Sequence, residues 1–222
     1  MRLTRHLGRD RAKDQSLDPT LVAGAHDDVV IAVLIGIGDD RGRGLAGHKF
    51  HSADIGQTGG LRGRKRSLFE GGVRVPFLVR WPGHAPAGSK NEKTTVTAVD
   101  LLPTLCAAAQ VKLPADYHSD GENLLEAFHG KEVSRTRPIF WEWRGNRTEP
   151  DWWPRLAVRD GDWKLVLTYD AQRVELHHLI NDRAESKDMA KEHPEIVARL
   201  TKLALEWKAN LPEKPNPECI SR

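Results

Sequence analysis

Three groups of side chains in this sequence have types and spacings that could do chemistry. The first is a cationic run, Arg62, Arg64, Lys65 and Arg66, set beside Gly63 and followed by Glu70 and Arg74. Such a run could grip nucleic-acid phosphates, but no aromatics interleave it and the net charge of the chain is only +3, so a nucleic-acid module ranks last among its readings. By residue type alone it is otherwise a solvated basic face, with Glu70 and Arg74 paired to tie down the turn rather than to react. The second group is Asp39 and Asp40, in the acidic turn Gly36-Ile37-Gly38-Asp39-Asp40-Arg41-Gly42. Adjacent carboxylates suit a hard cation, and they equally suit a solvated turn. The third is the histidines. His48 and His51 lie in a Gly-rich stretch with nothing to orient them, while His177 and His178 are neighbours on an expected strand and point to opposite faces. They cannot readily chelate one metal, and one partly buried ring and one exposed ring are expected. The only cysteines, Cys106 and Cys219, define neither a disulfide framework nor a metal site.

The elements that must position these groups follow from periodicity. Val29–Ile35 is a continuous, largely β-branched run ending at glycines, as a strand buried on both faces would be. Asp39 and Asp40 then sit at its carboxyl end, where open α/β sheets place ligands. Val73–Trp81 is expected as a second strand, and Asp100 as an N-cap with Pro103 in the first helical turn. A short helix is expected near Leu124–Phe128. The later part of the chain changes character. Strands are expected over 138–141, 156–159, 163–169 and 174–179, with Asp160-Gly161-Asp162 as a hairpin turn. Pro194–Trp207 is an amphipathic helix presenting Ile196, Val197, Leu200, Leu203, Ala204 and Trp207 on one face. Together these predict an antiparallel sheet covered on one side by a helix. Seven tryptophans, most of them beyond residue 140, fit that packed layer better than a carbohydrate-facing surface; Trp141, Trp143, Trp152 and Trp153 are assigned to packing.

The resulting organisation is an irregular segment 1–28, an α/β layer over 29–130 and a small α+β layer over 131–222. A hydrophobic fraction of 39% and a charged fraction of 29% are those of an ordinary globular protein. Neither charge nor hydropathy gives a reason to expect a nucleic-acid or membrane partner: Met1–Asp18 has no apolar signal core, and Val29–Gly38 is too short to span a bilayer as a helix. The chain as given is therefore expected to be soluble and not exported.

The wording of several segments is more specific. Leu61-Arg62-Gly63-Arg64-Lys65-Arg66-Ser67-Leu68-Phe69-Glu70-Gly71-Gly72-Val73-Arg74-Val75-Pro76 resembles the sulfatase family's Gly-Lys turn and its Glu-Gly-Gly-x-Arg-x-Pro. Arg80-Trp81-Pro82-Gly83 and Val99-Asp100-Leu101-Leu102-Pro103-Thr104-Leu105 continue the resemblance. Ala157-Val158-Arg159-Asp160-Gly161-Asp162-Trp163-Lys164-Leu165 is similar to that family's C-terminal hairpin, and Glu175-Leu176 through Asn181-Asp182, with Glu185, to the strand and turn after it. The motifs stand in family order, and the nearest subtype is the arylsulfatase or N-acetylgalactosamine-6-sulfatase kind.

This resemblance implies an α/β fold: part of an alkaline-phosphatase-like core, followed by a small α+β C-terminal domain. It implies hydrolysis of sulfate esters of carbohydrates or aryl groups, with Lys65 as the sulfate contact. It also implies a calcium ion held by carboxylates, for which Asp39 and Asp40 are the candidates, and which this chain alone would hold poorly. The family's nucleophile is a Cys or Ser in C/S-x-P-x-R, oxidised to formylglycine. Neither Cys106 nor Cys219 stands in such a motif, and no Ser does. Residues 1–28 do not resemble the family, as a truncated or frame-shifted reading of a longer gene would explain. Where composition alone suggests solubility, the resemblance implies a chain inactive alone and poorly soluble, since its apolar strands want neighbours on both sides. A non-catalytic protein that holds sulfated glycans is the alternative. Relatives in the family are commonly exported, so the compartment stays open.

Overall fold

The computed structural model describes residues 58–144 and 153–213. The expected strand Val29–Ile35, the pair Asp39 and Asp40, His48, His51 and Trp152 lie outside the described residues. Within them the order is α1 (Glu70–Val73), α2 (Ala98–Ala108), α3 (Leu125–Phe128), β1 (Ile139–Glu142), β2 (Leu156–Asp160), β3 (Trp163–Leu167), β4 (Val174–His178) and α4 (Pro194–Ala209).

The strands form one antiparallel sheet in the order β1-β2-β3-β4. Strand alternation sends Leu156, Val158, Leu165, Leu167 and Leu176 to one face, where they are fully buried with Leu200 and Ala204 of α4. The β2–β3 register closes at Asp160 opposite Trp163, and Gly161 takes the positive φ (59°) that the tight turn needs. Pro194 opens α4, where its missing N–H costs nothing, and Lys208 lies in the last turn facing the negative end of the helix dipole. Phe140 and Trp207 stack with ring centroids 5.1 Å apart, and Arg199 pairs with Asp160, so both ends of the helix are registered on the sheet.

The sheet is covered on both faces, which corrects the expectation of a single covering helix. Ala157 and Val166 on the second face are buried against Leu68 and Phe69, with Val73, Trp141, Trp143 and Trp153 around them. The cover is the segment that carries the cationic run, which has almost no regular structure and so no periodicity to announce it.

Two further expectations are corrected. Val73–Trp81 is not a strand: Val73 ends α1, and the chain then runs extended with only an isolated bridge at Arg80. Val75 and Leu78 are each half exposed, and no ladder runs beside this stretch among the described residues. The N-cap of α2 is Thr97, not Asp100. Asp100 instead closes a capping box, accepting from the Thr97 backbone N–H at 2.7 Å. Pro103 therefore lies inside the helix rather than in its first turn. Its absent N–H leaves the Val99 carbonyl unpaired in the helix, and Gly121 approaches that oxygen so closely that a Cβ would lie 2.1 Å from it. No helix among the described residues is long and apolar enough to cross a membrane.

Because Leu200 is wholly buried between α4 and the sheet, Leu200→Ala should lower stability by about 2–5 kcal/mol. Leu203→Ala, on the half-buried margin of the same helix, should cost distinctly less. Urea denaturation of both variants checks the ordering.

Candidate functional site

Lys65 sits at the tip of a turn. The Ser67 N–H donates to the Arg64 carbonyl at 2.9 Å, and Arg66 adopts a φ of 75°, which places the positive φ where a type II turn requires it. The Lys65 side chain is exposed and makes no ion pair or hydrogen bond among the described residues. An ammonium presented in this way is a compact charge with three donors free for an oxyanion.

What shapes the turn lies beneath it. The Gly71 N–H donates to the Arg62 carbonyl at 2.7 Å. A Cβ on Gly71 would lie 2.5 Å from the Gly63 carbonyl oxygen, and one on Gly72 would lie 2.0 Å from that of Ser67. The loop therefore lies directly against the backbone of α1, and any side chain at either glycine would push it off. The adjacent glycines of the Glu-Gly-Gly motif serve this close approach.

Glu70 fixes α1 to the sheet. Its carboxylate accepts from Lys164 Nζ of β3 at 2.8 Å, and that ammonium lies 3.0 Å from Glu185 as well. Glu185 also accepts from the Glu70 backbone N–H, so a carboxylate beyond β4 satisfies a donor at the first turn of α1. Lys164 and Glu185 are completely buried and Glu70 nearly so. Arg74 approaches the other Glu70 oxygen at 3.5 Å, so the expected Glu70–Arg74 pair exists, but as the outer contact of a network centred on Lys164. Arg62, one of the cations of the run, is not available to a ligand. It pairs with Glu175 at 2.5 Å, donates to the Glu185 carbonyl at 3.2 Å and lies over the Phe69 ring at 3.9 Å.

His177 is fully buried on the same face. Its Nδ1 lies 2.9 Å from the Lys187 carbonyl oxygen, so Nδ1 is the nitrogen that carries the proton and donates. His178 is half-buried on the opposite face, edge-on to Trp163 at 4.8 Å. Neither ring is exposed, which corrects that part of the expectation. Among the described residues no group of three or more His, Cys, Asp or Glu could hold a metal ion. The buried carboxylates there face protein cations: Glu70 and Glu185 share Lys164, Arg74 adds a second cation beside Glu70, and Asp100 pairs with Arg135 at 2.5 Å.

Lys164 and Glu185 were visible in sequence only as members of a motif, without a role. The available signal was a lysine on the inward side of an apolar strand, opposite Arg159 and His177 in register. A cation buried there needs a buried carboxylate partner.

Residues 63–210 match the family described as N-sulphoglucosamine sulphohydrolase, C-terminal. An N-acetylgalactosamine-6-O-sulfatase of Bacteroides thetaiotaomicron is 30% identical over 156 residues, 64% of this chain and 29% of that protein. A sulfatase of Formosa agariphila is 32% identical over 146 residues, 60% of this chain and 26% of its own length. The crystal structure of Ps i-CgsB in complex with k-i-k-neocarrahexaose superposes with a TM-score of 0.54 at 29% identity, covering 66% of this chain and 31% of that one. This chain thus spans under a third of the length of each of these proteins.

Lys164→Met should destabilise the protein by about 3–5 kcal/mol, because it strands two carboxylates in a dry interior. Burial pushes the Glu185 carboxyl above its ordinary 4.5, against the opposing pull of Lys164. The folded state therefore keeps this proton to higher pH than the unfolded chain does. The associated stability is full below the unfolded value and is lost as pH rises through the raised folded one. Glu185→Gln should flatten that fall, as read from denaturation midpoints across about pH 4–7.

Proposed function

We propose, from the premise that the chain belongs to the sulfatase family, that it carries the sulfate-contacting turn and the C-terminal sheet-and-helix unit of a sulfuric ester hydrolase acting on sulfated carbohydrates or aryl sulfates. The observation that carries this reading is Lys65: an exposed ammonium with no ion pair among the described residues, on a turn held by a buried ion-pair network. The named activity of the Bacteroides thetaiotaomicron relative, on an N-acetylgalactosamine 6-sulfate group, supports a sulfated amino sugar as the first substrate to try. The saccharide in the Ps i-CgsB complex supports a glycan rather than a small aryl ester.

In this reading the contribution of Lys65 is electrostatic. Sulfuryl transfer, like phosphoryl transfer, gathers charge on the non-bridging oxygens, and a fixed cation beside them lowers the barrier without proton bookkeeping. The turn pre-places that cation, because Gly71 and Gly72 seat its backbone and Lys164 holds α1 beneath it. The α/β layer over 29–130 is read as the C-terminal part of the alkaline-phosphatase-like core, with 131–222 as the smaller domain.

Calcium belongs to the same proposal. Asp39 and Asp40 are hard oxygen donors suited to it, and a bound calcium ion would neutralise sulfate oxygens. The ion takes about 6–8 oxygen ligands, so these two carboxylates alone would hold it weakly. With no C/S-x-P-x-R motif in the sequence, we read the chain as a fragment of a sulfatase, inactive by itself. The second reading, a non-catalytic holder of sulfated glycans, rests on the same Lys65 and differs in making glycan binding the function of this chain itself rather than its contribution to a longer hydrolase.

The test uses the full chain with N-acetylgalactosamine 6-sulfate and an aryl sulfate. Expected are salt-sensitive binding of the sulfated sugar and no release of inorganic sulfate from either probe. Lys65→Ala should weaken binding about tenfold or more, the scale of one charge-assisted contact. Unchanged affinity in that variant would sink the assignment of Lys65, and sulfate release would sink the claim of inactivity.

A further inference from the structure

A cleft of about 120 Å³ opens on the sheet face that carries Lys164, lined by residues of 93–95, 134–139 and 159–162 and by none of 58–74. It is well beyond the room of a single water and is separate from the Lys65 turn. Arg159 and its register partner Ile139 line it together with Arg135, Arg137 and Lys93.

The cations of the cleft are not equally free. Arg135 is neutralised by Asp100 at 2.5 Å and Glu122 at 3.5 Å, and its side chain is only 8% exposed. Lys93 pairs with Glu132 at 2.7 Å. Arg137 and Arg159 have no carboxylate partner among the described residues. Arg137 donates to the Ser119 carbonyl at 2.7 Å, and Arg159 spends one N–H on the Gly161 carbonyl at 3.1 Å. The remaining guanidinium donors of Arg159 have no hydrogen-bond acceptor there. Burial also pulls its pKa below the ordinary guanidinium value, with the neighbouring Arg74 and Arg135 acting the same way and the Glu70 and Asp162 carboxylates opposing them. Thr95 and Ser134 line the same cleft, and their hydroxyls make no hydrogen bond among the described residues. The one acid in the lining, exposed Asp162, makes no ion pair among the described residues and acts on Arg159 only from a distance.

The geometry points to an oxyanion-binding site at Arg159 and Arg137, taking one tetrahedral oxyanion such as sulfate with the Thr95 and Ser134 hydroxyls as further donors. Guanidinium forks and hydroxyls around a small concavity are the donor set that a sulfate group, free or esterified, requires. Such a group would give Arg159 the direct anionic contact that no carboxylate among the described residues makes with it. The site stands independently of the reading of Lys65, since no residue is shared between them.

The experiment is calorimetric titration of the full chain with sodium sulfate against sodium chloride at matched ionic strength, and then with N-acetylgalactosamine 6-sulfate. Arg159→Gln and Arg137→Gln should each weaken inorganic sulfate binding about fivefold or more, as loss of a charged hydrogen bond predicts. Lys65→Ala should leave this component of binding unchanged. If Arg159→Gln fails to fold, Arg137→Gln decides alone, because Arg137 is exposed and holds only a carbonyl. Weakening of both probes assigns the cleft to a sulfate ester, and weakening of inorganic sulfate alone assigns it to the free anion; either upholds the site. Sulfate heats no different from chloride, or folded variants that bind sulfate like the parent, would overturn it, as would sulfate binding lost entirely with Lys65→Ala.

Discussion

A lysine with no access to water holds the described part of this protein together. Taking an ammonium and two carboxylates out of solvent costs several kcal/mol per ion, and mutual attraction offsets that only when the geometry is tight. Lys164, Glu70 and Glu185 meet the condition by coming from three separate stretches of chain, so none can move without exposing the others to an uncompensated charge. The segment over 58–74 has little regular structure of its own. Its position on the sheet follows from this network, from the apolar contact of Leu68 and Phe69 with Ala157 and Val166, and from Arg62 reaching Glu175. The sheet is therefore the scaffold of the Lys65 turn as well as the partner of α4, and its two faces do different work. One is a dry aliphatic layer, and the other mixes apolar contact with charges.

Much of the sheet was legible in sequence, for physical reasons that can be named. In β2 and β3 the alternation of Leu156, Val158, Leu165 and Leu167 has the period of a pleated strand, and Asp160-Gly161 announces the turn between them. The α4 face was legible because its apolar residues recur at helical spacing. Val73–Trp81 was misread because its composition is that of a strand, while strand structure is a property of a pair. Asp100 was misread by one turn because Asp serves both as N-cap and as the third residue of a capping box, and only Thr97 distinguishes the two.

The candidate site divides in the same way. Lys65 is singled out by the wording around it, and the structure shows it exposed at the tip of a turn. The brace was not. Lys164 lies 94 residues from Glu70, and no local pattern reports which distant carboxylate a strand lysine will meet. The two glycines were read as part of a motif, whereas their reason is steric: carbonyl oxygens of the loop occupy the places where their β-carbons would be. The basic cleft was invisible for a related cause, since Arg137 and Arg159 belong to different strands or their flanks and come together only through the β1–β2 register.

The distance in sequence between the turn and its brace also orders events as the chain folds. Contacts that close long loops are made late unless shorter ones prepare them. The β2–β3 hairpin, β4 and α4 are all local to one another and can assemble first. Lys164 faces its carboxylate partners only once that sheet exists, and α1 has nothing to dock on before then. The Lys65 turn is therefore among the last parts to be docked, and a nascent chain carries it unanchored until the ribosome has delivered the sheet.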